Sequence, residues 1–433
     1  MSILIENVTA VLMDDANTVL GNAFVAVEGS SIAYVGEKRP EGSFETIDGK
    51  GCVLMPGFVN CHTHIPMTLL RGYGGGCDLH TWLYDYIFPA EAKLDDRAVA
   101  AGTGLGLAEM IASGVTCIAD MYAHTGTIAQ EIVNAGISAN LSCGGVYFGA
   151  AEDFSPDKCN DCKNQIVLTE RWHNYNDGQI LVDASIHGEY TSNAPLWQWM
   201  ADYARDHGQR MHVHVSETKS EHAASLERHG KTPIQILNEY GVWDNGGIAA
   251  HCVYTTEEDW TIMAAKGVTA VHNPYSNLKL GSGVARVPAM RDAGVNVSLG
   301  TDGVSSHNST DMFADMKLAA ILHGGVNCAP GVISARQALQ MATVNGAGAL
   351  GRNTGVIAAG KTADLILVDF SAPNLTPCHD VEENLVFSAC GANVVMNMAR
   401  GKVIYKDGEF YTLDLERIQR EVKEYALPLV FGK

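Results

Sequence analysis

The sequence is short of positive charge: Lys+Arg number 29 against 49 Asp+Glu, a formal net charge of −20. Such an acidic surface repels phosphate backbones and argues against a nucleic-acid polymer as partner. No apolar run approaches the ~18 residues that a membrane-crossing helix needs, so no membrane span is expected. The start, MSILIENVTAVLMDD, lacks a basic segment followed by an unbroken apolar stretch and carries Glu6, Asp14 and Asp15. No secretory leader is therefore expected. Short repeats and low-complexity tracts are missing. So are a P-loop and a G-x-G-x-x-G opening a helix after a strand. The stretch Gly102-Thr103-Gly104-Leu105-Gly106 fails that spacing and reads as an aid to helix packing. An H-x-E followed by P-C-x-x-C is absent, which excludes that zinc signature. The 11 cysteines are an odd count scattered from Cys52 to Cys390. They suit reduced thiols in a cytoplasmic protein rather than a disulfide framework. Cys159-Asn160-Asp161-Cys162 has no matching second pair and reads as two ordinary thiols in a loop.

What is present is a chain of 433 residues, 46% hydrophobic and 18% charged. That composition supports a sizeable core and points to one large domain plus a smaller one. Residues 1–57 read as short alternating strands with glycine turns, and 359–433 read the same way, with a hairpin signal at Lys406-Asp407-Gly408 and a C-terminal helix, LERIQREVKEYA, that packs on the surface. The two ends are expected to meet in a small β-sandwich. Between them, 58–358 alternates helical stretches such as 95–113 and 195–208 with eight strand-like runs, at 58–64, 114–122, 137–146, 180–188, 210–217, 247–253, 267–273 and 296–302. Eight such units match an α/β fold of the (β/α)8 TIM-barrel type in number and size, with an open doubly wound sheet as the alternative.

Several of these runs end in residues that an apolar core would not choose. His62-Thr63-His64 places two imidazoles on one side of a strand, because i and i+2 share a face. The fifth run offers His212, His214 and Glu217. His214 lies nearer the C-terminal end, where barrel sites sit, and His212 reads as a packed core histidine. Glu217 cannot share the face of His214 on a regular strand, so it falls where the strand gives way to a loop. A carboxyl there could move a proton without binding a metal. The sixth run ends at His251 and the eighth at Asp302. Taken singly, each residue is compatible with a structural role. Together, histidines and acids recur at the ends of successive units, and three His with one Asp suit Zn2+ with a water completing the set.

These residues carry a family resemblance. PGFVNCHTH, HVSET, AAHC, HNPYSNLKLGSG and LGTDG, in this order, resemble the amidohydrolase superfamily in its cytosine-deaminase-like or chlorohydrolase-like branch. PMTLLRG (66–72) with Trp82 and Glu91 is similar to the S-adenosylhomocysteine/methylthioadenosine deaminases. The likeness runs from about 50 to 370, with ATVNGAGALG (342–351) included. It implies a metal-dependent hydrolytic deaminase acting on the C–N bond of an aminated purine nucleoside or related heterocycle. Other C–X hydrolysis on the same scaffold, as in triazine or cyclic-amide hydrolases, and a catalytically silent scaffold are the alternatives. The resemblance assigns one divalent metal to His62, His64, His214 and Asp302, with Zn2+ expected and Fe2+ or Mn2+ as alternatives. The fourth run holds no Lys or Glu that would bridge a second ion. The catalytic residues it implies are Glu217, His251 and Asp302. Around the substrate it places Trp82 as an aromatic wall, Glu91 as a ribose-hydroxyl acceptor and His187. A small-molecule substrate is the implied partner, and a homo-oligomer is compatible.

The chain departs from the family where an amino-acid carboxylate would bind. Ser138, Cys143 and Gly144 carry no charge. Glu189 would repel a carboxylate. Arg286 stands as the candidate replacement cation, against the plainer reading of a surface arginine. Neutral nucleosides are therefore expected to be better substrates than adenosylhomocysteine.

Overall fold

Alternating apolar and polar residues turn both ends of the chain into strands. In the computed structural model, which describes residues 2–432, these are β1 (Ser2–Val11), β2 (Val19–Glu28), β3 (Ser31–Gly36), β4 (Glu45–Asp48) and β5 (Cys52–Pro56) at one end. The middle of the chain follows with β6 (Phe58–Thr63), β7 (Val115–Met121), β8 (Ser138–Ser142), β9 (Ile180–Val182), β10 (Ala184–Gly188), β11 (Met211–Val215), β12 (Gly247–His251), β13 (Val268–His272) and β14 (Val297–Leu299). The other end supplies β15 (Leu365–Asp369), β16 (Val394–Ala399), β17 (Lys402–Lys406) and β18 (Glu409–Phe410).

The terminal strands join in one nine-stranded sheet, ordered β18-β17-β16-β15-β5-β1-β2-β3, with β4 also paired to β1. The seam between the two ends is the antiparallel pair β5–β15, which sets Met55 opposite Ile366. Ile5, Val25, Ile47, Leu54, Leu365 and Met396 share one core, so neither end buries its apolar face alone. Hydrogen bonding runs through the strands of both ends as one continuous sheet. The expected hairpin forms at β17–β18. Asp407 and Gly408 both have positive φ, 50° and 88°, as a tight hairpin turn demands.

All eight expected middle runs contain a strand, the fourth broken at Asp183 into β9 and β10. They form two all-parallel arcs, β6-β7-β8-β9 and β10-β11-β12-β13-β14. Backbone bonds also pass between the arcs. The His187 N–H of β10 donates to the Gly145 carbonyl, just beyond β8, at 2.9 Å, and the Asp302 N–H, beyond β14, to the His62 carbonyl of β6 at 2.9 Å. Nearly every residue of these strands is buried, as expected of parallel strands covered on both faces.

Helices Asp96–Ala112 and Ala194–His207 lie where the pattern placed them. The glycines in the first are needed for close approach. A Cβ on Gly106 would lie 2.6 Å from Ile65 Cγ1, and one on Gly102 2.7 Å from the Pro66 carbonyl. The helix thus presses directly on the turn Ile65–Leu70, which follows His64. The C-terminal helical segment starts at Leu415 and lays Ile418 against Gly104 of the same helix. Cys162 lies inside helix Asn160–Trp172 with Cys159 as its N-cap, so this pair is not in a loop as expected. All eleven cysteines are free among the described residues. No described helix is long and apolar enough to cross a membrane.

Candidate active site and metal centre

The C-terminal ends of β6, β11, β12 and β14 converge. His62 is the fifth residue of β6, and His64 follows its end. His214 is the fourth residue of β11, and His251 closes β12. Asp302 lies three residues beyond β14. The His62, His64 and Asp302 ligand atoms lie within 4.8 Å of one another, as do those of His62, His214 and His251. Asp302 Oδ1 is 3.4 Å from His62 Nε2 and 3.3 Å from His64 Nε2. The Nε2 atoms of His64 and His214 are 3.3 Å apart. Gly300 admits this crowding, because a Cβ there would lie 2.9 Å from His62 and 2.5 Å from Asn273 Oδ1.

The atoms that face away from the centre are held. His64 Nδ1 meets the Met121 carbonyl, and His214 Nδ1 meets that of His187 at 2.7 Å. Asp302 Oδ2 accepts from Ser276 at 2.6 Å and Ser306 at 2.9 Å. His251 Nδ1 lies 2.8 Å from Asn277 Oδ1. By contrast, His62 Nε2 is buried with no hydrogen-bond partner. An orphaned imidazole nitrogen beside two others and a carboxylate is costly unless something positive sits among them. The donor set of three imidazoles and one carboxylate therefore fits a divalent ion. Backbone strain is concentrated here too. Ser216, His251, Cys252 and Asp302 have φ of 49°, 74°, 49° and 60°, a region that non-glycine residues enter at a cost.

Burial sets the proton affinities of these groups. It pulls His62 down to about 3 and His214 well below the usual imidazole range, so both rings are neutral lone-pair donors near pH 7. Burial would raise Asp302, but contact with His62 and the field of His251 and His64 hold it well below the usual carboxylate range. For Glu217 burial prevails and raises it. Two carboxyls pushed in opposite directions within one site suit separate acid and base roles. Glu217 sits in the loop after β11, as its spacing predicted. Its Oε2 is 3.7 Å from His251 Nε2, and Oε1 accepts from Ser282 at 3.2 Å. The loop itself is clamped by Glu221, which accepts the N–H groups of Ser216 and Glu217, both at 2.7 Å.

The cluster opens into a cavity of about 290 Å3 whose far wall carries Trp82, Phe88 and Glu91. His187, Cys143 and Gly144 also line it, whereas no Lys or Arg does among the described residues. Glu91 Oε1 accepts from the Tyr122 hydroxyl at 2.6 Å. Arg286 is not brought to this site. It is exposed, lies over the Trp260 ring at 4.5 Å and donates to the Thr255 carbonyl. The loop after β13 turns it outward, which corrects the expectation of a replacement clamp. Glu189 does not reach the site either. It pairs with Arg228 at 2.5 Å and His229 at 2.8 Å and does not line the cavity.

Sequence reasoning passed over Tyr122, Ser276, Asn277 and Glu221. The Tyr122 signal was its place at the end of a strand-like run. For Ser276 and Asn277 it was the HNPYSN motif, and for Glu221 the capping-box spacing from Thr218.

Residues 53–404 match the amidohydrolase family. The chain is 40% identical over 429 residues to a 5'-deoxyadenosine deaminase of Methanosarcina mazei, covering 99% of this chain and 98% of that one. It is 38% identical over 432 residues to a 5-methylthioadenosine/S-adenosylhomocysteine deaminase of Acetivibrio thermocellus, covering 98% and 99%. A solved adenosine deaminase of Xanthomonas campestris with bound zinc superposes with a TM-score of 0.92 at 32% identity, covering 99% of this chain and 98% of that one. The parallel strands, the histidine–aspartate cluster at their ends and these full-length likenesses place the chain in the amidohydrolase family.

Proposed function

We propose that this chain is a metal-dependent aminohydrolase that releases ammonia from aminated purine nucleosides with a neutral 5' substituent. The observation that carries this reading is the lining of one cavity: imidazoles and a depressed carboxylate at one end, an aromatic wall and Glu91 at the other, and no Lys or Arg along it. 5'-Deoxyadenosine and methylthioadenosine, named for two full-length relatives, agree with it, whereas adenosylhomocysteine, also named for the second, carries a charged amino-acid group. In this reading the two arcs form a single (β/α)8 barrel over 58–358, and 1–57 with 359–433 form the small β-sandwich beside it.

His62, His64, His214 and Asp302 would hold one divalent ion, zinc being the ion seen in the solved relative. When bound, such an ion acidifies water and polarises the reacting carbon's substituents. The chain's own residues do the rest. Asp302 takes a proton from the attacking water while His251 Nε2 orients its oxygen. Glu217, whose proton affinity burial raises, protonates the purine ring nitrogen next to the amino-bearing carbon. Asp302 then passes its proton to the amino group, the C–N bond breaks and ammonia leaves. The hydroxyl proton of the new oxo group returns to Glu217, which balances the reaction. Trp82 stacks on the nucleoside, and Glu91 accepts from a ribose hydroxyl.

Ammonia release with adenosine, 5'-deoxyadenosine, methylthioadenosine and adenosylhomocysteine tests the proposal. The neutral nucleosides should show the higher kcat/KM. A clear preference for adenosylhomocysteine would refute the substrate class, and no release from any of the four would refute the activity.

A further inference from the structure

A histidine can ligate a metal only through a nitrogen that carries no proton, so its other nitrogen must carry one. For two of the three imidazoles whose Nε2 atoms face one another, the backbone makes that choice. His64 Nδ1 faces the Met121 carbonyl and His214 Nδ1 the His187 carbonyl. A carbonyl only accepts, so each Nδ1 donates. His62 has no such partner. Its Nδ1 lies 2.9 Å from His212 Nε2, and an imidazole nitrogen can either donate or accept.

The next links remove the ambiguity. His212 Nδ1 is 3.1 Å from the Ser142 hydroxyl, and that hydroxyl donates to the Asp120 carbonyl at 3.3 Å. With its one proton committed there, Ser142 accepts from His212 Nδ1. His212 Nε2 is then the lone-pair side and accepts from His62 Nδ1. A ring that ligates through Nε2 has only its Nδ1 proton to give, and His62 gives it to His212. Reversing the relay would aim a proton from His62 Nε2 into the cluster and withdraw the Ser142 hydroxyl from the Asp120 carbonyl. All four residues are buried. The relay links β6, β11, β8 and β7, so it spans both arcs beneath the site.

We infer that His212, with Ser142 behind it, is a positioning residue that turns the Nε2 lone pair of His62 toward the ion. The inference rests on reading the cluster as a metal centre. It replaces the expectation that His212 only fills the core.

Conservative variants separate orientation from packing. His212→Gln keeps an acceptor near the Nε2 position, while His212→Asn keeps a polar group near Nδ1 that falls short of His62. The Zn2+ dissociation constant of the full chain is measured by competition with a chromogenic chelator, beside thermal unfolding of the metal-free protein. His212→Asn should weaken Zn2+ binding about 10- to 100-fold, the cost typical of lost outer partners, and His212→Gln by no more than about threefold. Ser142→Ala should weaken it by an intermediate factor. Equal losses in the two His212 variants, or unchanged Zn2+ affinity in His212→Asn, would overturn the inference and leave the metal-centre reading intact. If His212→Asn does not fold, Ser142→Ala decides, and unchanged Zn2+ affinity in that variant overturns the inference. A wild-type chain that binds no Zn2+ would overturn both.

Discussion

The floor and the far wall of the cavity are built differently. The floor residues His62, His64, His214, His251 and Asp302 stand on or just beyond the ends of parallel strands, and each is tied by hydrogen bonds to strand ends or to the HNPYSN turn. The wall residues Trp82, Phe88 and Glu91 come from a run of short helical turns, 79–91, that follows Gly72, Gly74 and Gly76, all at positive φ. Phe88 is 38% exposed, while His62 is fully buried. Strand ends locked by a ladder hold reacting groups to fixed separations, which bond-making requires. A wall on a looped segment can change its shape and side chains without disturbing that geometry. The contrast predicts that chemistry resides in the floor and substrate preference in the wall.

The comparison is tested most severely by removing the metal. Treatment with a strong chelator should abolish ammonia release, and added Zn2+ should restore it. The Asp302→Ala variant should not be restored, since under the proposed mechanism it would lack both a ligand and the proton acceptor. Activity that persists in fully metal-free protein would break the reading of the floor.

Glu217→Gln should retain metal and lower kcat by roughly 10²–10⁴-fold, the usual worth of a positioned general acid. Metal analysis of the same sample checks the first half. Metal loss in this variant would make Glu217 a ligand instead.

Glu91→Gln probes the wall. It should lower kcat/KM for adenosine by about 10- to 100-fold, the range for a hydrogen bond to a charged group, with most of the change in KM. A fall confined to kcat would place Glu91 in the chemistry and blur the floor–wall distinction.

Arg286→Ala should have the smallest effect. Its stacking on Trp260 is worth about 0.5–1 kcal/mol at an exposed site, so the melting temperature should fall slightly. The ratio of kcat/KM for methylthioadenosine and adenosylhomocysteine should not move. A shift in that ratio would show that Arg286 reaches the substrate after all.

Much of the floor could be read from the chain. H-x-H at the end of one strand-like run, His214 and His251 at the ends of two more and Asp302 after a fourth follow from period-two geometry and the cost of burying polar groups. The placement of Glu217 off the strand face also held, because a side chain three residues from His214 cannot share its side. The wall was less legible. Trp82 and Glu91 do line the cavity, but only family resemblance pointed to them, since no periodicity ties a looped segment to a site. Arg286 and Glu189 were misplaced for the same reason. Glu189 directly follows β10 and Arg286 caps the helix Val287–Asp292 well beyond β13, and at both places a local turn without a clear signature decides whether the side chain faces inward.

The amino-acid sequence by itself determined the alternation of strands and helices, the eight parallel units and the set of groups able to hold an ion, because strand period and hydrophobic burial act over a few residues. Only the tertiary structure decided that the terminal strands join in one sheet through β5 and β15, that Glu189 is neutralised by Arg228 and His229, and that His212 backs His62. Those outcomes depend on contacts between residues far apart in the chain. In His62 and His212, 150 residues apart, a single hydrogen bond exists only because β6 and β11 face each other across the site.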